Sequence, residues 1–337
     1  MRVLFIGGSG MTGPFAIREL LAGGHEVTML HRSPSRSPLL DGATQIAGDK
    51  SDLPGMRREL MALRLDIVVH MVAFTEADAV ALVESVAGIV PRAVVVSSCD
   101  VYQSYGRLHR AETGPSSPTP ANEAAPLRTK LQIHGGEYEK ITVERIVQSD
   151  SRLACTVLRY SAVYGPGDGQ HRLGKWVRRM DDRRPVILVG QDQASWRFTH
   201  GYVENVADAL VRAITIPAAA GRIYNAGDAV TPQWIEWIRR VGRVCDWDGE
   251  VIALPTAHLP THLAQDMDFS HDLTIDTTRI RAELGYAEPV SPDEALGRAI
   301  QWDREHAPPA DLREYAAEDA AAAGHAKFSG FTRLQTR

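Results

Sequence analysis

The chain has 337 residues, 44% hydrophobic and 23% charged, with a formal net charge of −5 at pH 7. That length suits one large domain or two modest ones, and the acidic balance excludes a broad basic surface, so no nucleic-acid partner is expected. No apolar run reaches membrane-spanning length, the first apolar stretch is too short and glycine-broken for a signal peptide, and three widely spaced cysteines (Cys99, Cys155, Cys245) argue against a disulfide framework or zinc site and for a reducing, cytoplasmic setting.

Residues 2–6 form an apolar β-run that leads into Gly7-Gly8-Ser9-Gly10-Met11-Thr12-Gly13. Pro14 opens an amphipathic segment over 15–22, Gly23-Gly24 closes it, and a second β-run spans 26–30. Strand, glycine turn, helix and strand make the βαβ context in which a glycine fingerprint signals a dinucleotide. The free N–H groups and the dipole at such a helix start favour an anion. The second run ends in His31-Arg32-Ser33. A cation at that point can accept a 2′-phosphate, so Arg32 predicts NADP in preference to NAD.

Short β-runs follow at 43–47, 66–73, 92–98 and 155–160, with helical segments at 53–64, 75–89 and 137–148. Strands alternating with helices of this length predict an α/β fold, a Rossmann-type doubly wound parallel sheet. Residues 103–132, rich in proline, break the pattern and read as a functional or mobile loop. Beyond residue 165 the elements are short: strands at 185–189, 222–225 and 251–254, helices at 203–216 and 232–244. They read as a smaller C-terminal substrate-binding lobe. The expected organisation is a dinucleotide domain over 1–165 with returning segments near 195–230, a lobe over 166–306, and a helical, loosely held tail over 307–337. His258 and His262 are four apart, but Pro260 breaks the helical face a metal pair needs, so no metal is expected. Trp234 and Trp237, three apart, read as core on one helical face.

From Met1 to about Trp302 the chain resembles the extended, epimerase/dehydratase branch of the short-chain dehydrogenase/reductase superfamily. Gly7, Gly10 and Gly13 are similar to its GxxGxxG turn, and Gly48-Asp49 to the turn whose acid contacts adenine. Residues 66–73, ending in Val72-Ala73, resemble its fourth strand, and Ser97-Ser98-Cys99-Asp100-Val101-Tyr102 its fifth. Leu158-Arg159, with Tyr160 close behind, and Val163-Tyr164-Gly165-Pro166-Gly167-Asp168 are similar to the segment beside the nicotinamide. Arg197-Phe198-Thr199-His200 resembles a later motif of the substrate lobe.

The resemblance implies a cofactor set of Gly7, Gly8, Ser9, Gly10, Met11, Thr12, Gly13, Arg32, Asp49, Val72, Ala73, Lys140 and Tyr160. It places Asp100, Tyr102, Arg197 and His200 near the substrate and Ser98 at the reaction centre. It also implies a homodimer that pairs through the 75–89 and 137–148 helices.

The departure lies at that centre. The family's proton-transferring tyrosine stands four residues before its lysine, and the position four before Lys140 is Gly136. Tyr138 is two residues away, and two residues turn a helix by about 200°, so Tyr138 and Lys140 cannot both face the cofactor on a regular helix. The expectation is a centre without its usual tyrosine, with Ser98, Tyr138 and Lys140 as the catalytic candidates. Gly135-Gly136 could still distort the first turn and swing Tyr138 inward. Asp100, Tyr102, His134 and Glu137 are substitute acids or bases. Three readings stand: an oxidoreductase or epimerase acting on a small polar molecule such as a nucleotide sugar or secondary metabolite, a non-redox dinucleotide-binding regulator, and an RNA-associated relative.

Overall fold

The computed structural model describes residues 1–33, 37–306 and 315–328. The first half contains β1 (Arg2–Ile6), α1 (Gly13–Ala22), β2 (Glu26–His31), β3 (Thr44–Ala47), α2 (Arg57–Ala62), β4 (Ile67–His70), α3 (Glu76–Val86), β5 (Arg92–Ser98), α4 (Gln103–Leu108), α5 (Lys140–Ser149) and β6 (Ala154–Tyr160). The second contains β7 (Ala162–Tyr164), α6 (Gly174–Asp181), β8 (Val186–Gly190), α7 (Gln191–Ser195), β9 (His200–Tyr202), α8 (Val203–Thr215), β10 (Ile223–Ala226), α9 (Trp234–Val244), β11 (Glu250–Leu254), α10 (Thr278–Leu284), α11 (Pro292–Glu305) and α12 (Tyr315–Phe328).

Seven strands form one sheet in the order β10-β6-β5-β4-β1-β2-β3. Every pairing is parallel. Side chains alternate across such a sheet, and both faces are covered. On one face Val3, Phe5, Val69 and Val94 pack with Ile17 and Leu20 of α1 and Val206 and Leu210 of α8. On the other, Leu4, Val68, Val95 and Val157 pack with Leu82 of α3 and Val143 of α5. Burial on both faces explains why these strands read as nearly continuous apolar runs. Strand order reverses beside β1, between β2 and β4. That is the crevice in which open α/β sheets hold ligands.

The later elements pack a third core from Trp176 and Val177 of α6, Ile187 of β8, Trp237 and Val241 of α9, and Leu296 and Ile300 of α11. Helix α12 is fastened to α6 by a buried pair, in which Arg179 Nη2 and Nε donate to the Glu318 carboxylate at 2.6 and 3.1 Å. The remainder of the expected tail, residues 307–314 and 329–337, lies outside the described residues. No helix among the described residues is long and apolar enough to cross a membrane.

Two expectations change. The 103–132 stretch opens with α4 and is pinned to the body, with Ala121 N bonding Thr274 O and Arg128 N bonding Val101 O, both at 2.8 Å. The helix expected over 137–148 starts at Lys140. Gly135 and Gly136 take φ of +74° and +64°, which a helix does not tolerate.

Candidate active site

The glycine turn after β1 works by lacking side chains. A Cβ on Gly7 would stand 2.8 Å from Val72 Cγ2, and one on Gly13 would stand 2.2 Å from the Gly8 carbonyl oxygen. α1 thus approaches β1 closely, and a cleft of about 360 Å³ opens beside the turn. Gly7, Ser9, His31, Arg32, Asp49 and Val72 line it, joined by Lys50 and Phe74. A Cβ at Gly10 would meet only open space, so a pyrophosphate can approach the backbone there. Gly8, Met11 and Thr12 belong to the same turn, and Thr12 is buried at the helix entrance. A donor-rich turn with a carboxylate across the cleft fits a dinucleotide.

Arg32 is 84% exposed, with Nε 3.8 Å from Asp49 Oδ2. Bonds from the Ser51 N–H and hydroxyl hold the Asp49 carboxyl below its ordinary range, so it is ionised beside Arg32. Lys50 Nζ donates to Val72 O (2.9 Å) and Asp78 Oδ2 (2.6 Å) and lies over the Phe74 ring.

Lys140 opens α5 and is buried. Its Nζ donates to Ala73 O at 2.7 Å and Val96 O at 2.9 Å, 4.6 Å from the Phe74 ring centre and 5.9 Å from that of Tyr138. Burial lowers its pKa from 10.5 to about 8, against the pull of Asp100, Glu144 and Asp78. Lys140 thus lies between Phe74, which borders the cofactor cleft, and Tyr138, which borders a second cavity of about 640 Å³ with Ser98, Asp100, Tyr105 and His134.

The helical obstacle to Tyr138 disappears because Tyr138 precedes the helix. Its hydroxyl donates to Asp100 Oδ2 at 2.6 Å. Ser98, at the end of β5, accepts the Asp100 N–H at 3.2 Å and lines the same cavity. Burial pushes the Tyr138 phenol far above its ordinary range, and the hydrogen bond it gives to Asp100 adds to the rise, so it is neutral.

Arg128 holds this corner together, and neither it nor Glu139 was singled out from the sequence. Arg128 Nε donates to Asp100 O (2.5 Å), Nη1 to Lys130 O (2.8 Å) and Nη2 to Glu139 Oε1 (3.1 Å). Glu139 in turn accepts the N–H groups of Ile141 and Gln132. A lone arginine in a proline-rich stretch carries no sequence signal of this role.

Other expected residues lie elsewhere. Tyr102 is buried away from the cavity. Its hydroxyl donates to Asn225 Oδ1 (2.6 Å) and accepts from Arg159 Nη1 (3.1 Å), and Arg159 pairs with Glu144 at 2.7 Å. Substrate contact is therefore replaced by a structural network, because the turn after Ser98 sends Tyr102 inward. Tyr160 is buried in the sheet's core and lines neither the cleft nor the cavity. Arg197 borders a different polar cavity with Asp272 and Arg281, its Nη1 donating to Thr231 O at 2.8 Å.

His200 is stacked on Trp237 (4.4 Å between ring centres) and Trp234 (5.8 Å), and burial lowers its pKa to about 3. It borders a further cavity of about 540 Å³ that shares Arg172, Trp196 and Phe198 with the Ser98 cavity. Arg172, Lys175 and Arg178 line it, with no aspartate or glutamate among its walls. Burial, with Arg179 beside it, lowers Lys175 to about 8. Lys175 and Arg178, three apart on α6, share a helix face, and Arg172 comes from the turn just before that helix. Arg178 borders the cavity, whereas the next residue, Arg179, is buried on Glu318. Trp234, expected in the core, also borders the cavity.

The chain is 28% identical over 72% of its length to 2′-dehydrokanamycin reductase of Streptomyces kanamyceticus, and the match spans 66% of that relative. It is 28% identical over 88% of its length to the whole of 3-diazoavenalumate denitrifying reductase from a Streptomyces species. UDP-glucose 4-epimerase from Bifidobacterium longum, solved in complex with NAD+ and UDP, has the same fold. The TM-score is 0.67 at 17% identity, covering 91% of this chain and 99% of that one.

The expected preference for NADP is contradicted. Solved structures of this fold were captured with NAD, and Arg32 faces an ionised carboxylate whose charge opposes a 2′-phosphate. The NAD dependent epimerase/dehydratase family, as a sequence model, matches residues 3–227. The chain belongs to that family, and with it to the NAD(P)-dependent oxidoreductases of the short-chain dehydrogenase/reductase superfamily.

Proposed function

We propose that the protein interconverts a carbonyl and a hydroxyl on a small polar substrate with NAD as cofactor. The observation that carries this reading is that Ser98 and Tyr138 line one cavity of about 640 Å³, with Lys140 Nζ 5.9 Å from the Tyr138 ring and 4.6 Å from that of Phe74 in the cofactor cleft. NAD, held by the Gly7–Gly13 turn, Asp49, Val72 and Lys140, supplies or takes the hydride when bound. Ser98 orients the reacting oxygen, and the neutral Tyr138 phenol gives it a proton.

The neighbouring cavity defines the other end of the substrate. Arg172, Lys175 and Arg178, with Trp196, Phe198 and Trp234, suit an anionic group attached to a flat or apolar body. A nucleotide sugar or a carboxylated secondary metabolite meets that description, and the name of one relative, 3-diazoavenalumate denitrifying reductase, supports the second. The ground for a non-redox reading was the missing tyrosine, and Tyr138 reaches the cavity from its loop. We also place a homodimer contact on the outer faces of α3 and α5, to be checked by sedimentation.

Tyr138→Phe tests the assignment. It should lower NADH-dependent carbonyl reduction about 10²- to 10⁴-fold and leave NADH affinity by calorimetry unchanged. Unchanged turnover would remove Tyr138 from the reaction.

A further inference from the structure

Asp100 is the least accounted-for group in this corner. Asp100 is 6% exposed, and its Oδ2 accepts only the Tyr138 hydroxyl. Oδ1 is buried without a partner. Each cation nearby is engaged elsewhere. Arg128 is bonded to the Asp100 main-chain oxygen, to Lys130 O and to Glu139. Lys140 is bonded to the carbonyls of Ala73 and Val96. His134 lies beyond the Tyr138 ring, bonded to the Tyr105 hydroxyl at 3.0 Å, and Cys99 is a buried thiol on the same turn. Among the described residues no cation donates to the Asp100 carboxyl. A buried carboxylate with one bond and one bare oxygen is costly, and protonating the bare oxygen removes that cost.

We infer that Asp100 is held as a neutral acid whose proton replenishes Tyr138, so that a Tyr138–Asp100 pair replaces the tyrosine–lysine pair of the family. The inference rests on the redox reading of this site. In the reducing direction the substrate carbon gains a hydride with its two electrons, and the carbonyl oxygen takes the Tyr138 proton. A turn of the Asp100 carboxyl brings its O–H to the Tyr138 oxygen, which recovers its proton. Solvent in the cavity then reprotonates Asp100. The sum is a carbonyl, NADH and one proton giving an alcohol and NAD+. Burial raises the Asp100 pKa, against the bond from Tyr138 and the charges of Arg128, Lys140 and His134. A lysine-activated tyrosinate is poised to take a proton from an alcohol, whereas this pair is loaded to give one. The site is therefore set for carbonyl reduction. Asp100 acts through Tyr138 and needs no contact with substrate.

Infrared difference spectroscopy on the cofactor-free protein tests this without a substrate. At pH 7 the spectrum of wild type minus Asp100→Asn should contain a protonated-carboxyl stretch, and that stretch should shift in Tyr138→Phe. A difference spectrum with only a carboxylate band would overturn the inference. Should Asp100→Asn fail to fold, Tyr138→Phe decides alone, because an unmoved carboxyl region would equally sink the idea. A parallel screen of NADH oxidation against simple ketones and aldehydes tests the redox reading separately. A protonated Asp100 with no turnover would retire that reading and leave the Asp100 proton in place.

Discussion

The cofactor cleft and the Tyr138 corner face each other across Lys140, and they are built in opposite ways. The cleft is made of backbone. Its key positions are glycines, and the close approach of α1 to β1 depends on what is missing at Gly13. The corner is made of side chains drawn from three separated segments: Asp100 after β5, Arg128 from the proline-rich stretch, and Tyr138 with Glu139 before α5. At Gly7 and Gly13 the backbone site tolerates no added atom, and a side-chain site tolerates no lost partner.

The largest effect is expected where a buried charge loses its partner. Arg128→Ala leaves the Glu139 carboxylate buried without its cation and removes four bonds from the corner. It should cost about 3–5 kcal/mol in urea unfolding. A loss below 1 kcal/mol would show that Tyr138 is positioned by something else.

On the cleft side, Gly13→Ala puts a methyl against the Gly8 carbonyl. It should cost about 3 kcal/mol and abolish NADH binding, whereas Arg128→Ala should spare binding in whatever fraction folds. Equal losses of binding in both variants would erase the contrast.

A smaller effect concerns acid stability. His200 is held neutral, with a pKa near 3 in the fold against 6.5 ordinarily. Between those values the unfolded chain binds a proton that the folded chain refuses, so stability is lost as pH falls from 6.5 toward 3. His70 adds the same trend. His200→Phe keeps a ring against Trp237 and should flatten the slope by up to about 1.4 kcal/mol per pH unit. Unfolding free energies at pH 7, 6 and 5 would show it, and an unchanged slope would mean that His200 is already charged.

The smallest effect is at Arg32. Exposed and beside Asp49, it should change NADH affinity less than about threefold when replaced by alanine. A tenfold loss in calorimetry would return it to the cofactor site.

The legibility of each region follows from its construction. Strand, glycine turn and helix are contiguous, so the glycine turn and the alternation of strands and helices were readable from local pattern. Residues 92–98 were read as a strand with the same ends that β5 has. Tyr138 was misjudged on a sound rule of helix geometry applied to a segment that is not helical, since Gly135 and Gly136 delay α5 until Lys140. Arg128, Lys175 and Glu318 went unread for a different reason: a charged residue in a loop or on a helix looks solvated until its partner, as far as 139 residues away for Arg179 and Glu318, is known.

Short-range order is enough for the doubly wound sheet, the dinucleotide turn and the family, because backbone sterics and hydrophobic period act within a few residues. Folding alone selects the cofactor face of Arg32, the inward turn of Tyr102 and the pairing of Tyr138 with Asp100. Each depends on which distant charge or ring ends up within bonding distance, and burial then sets which proton stays.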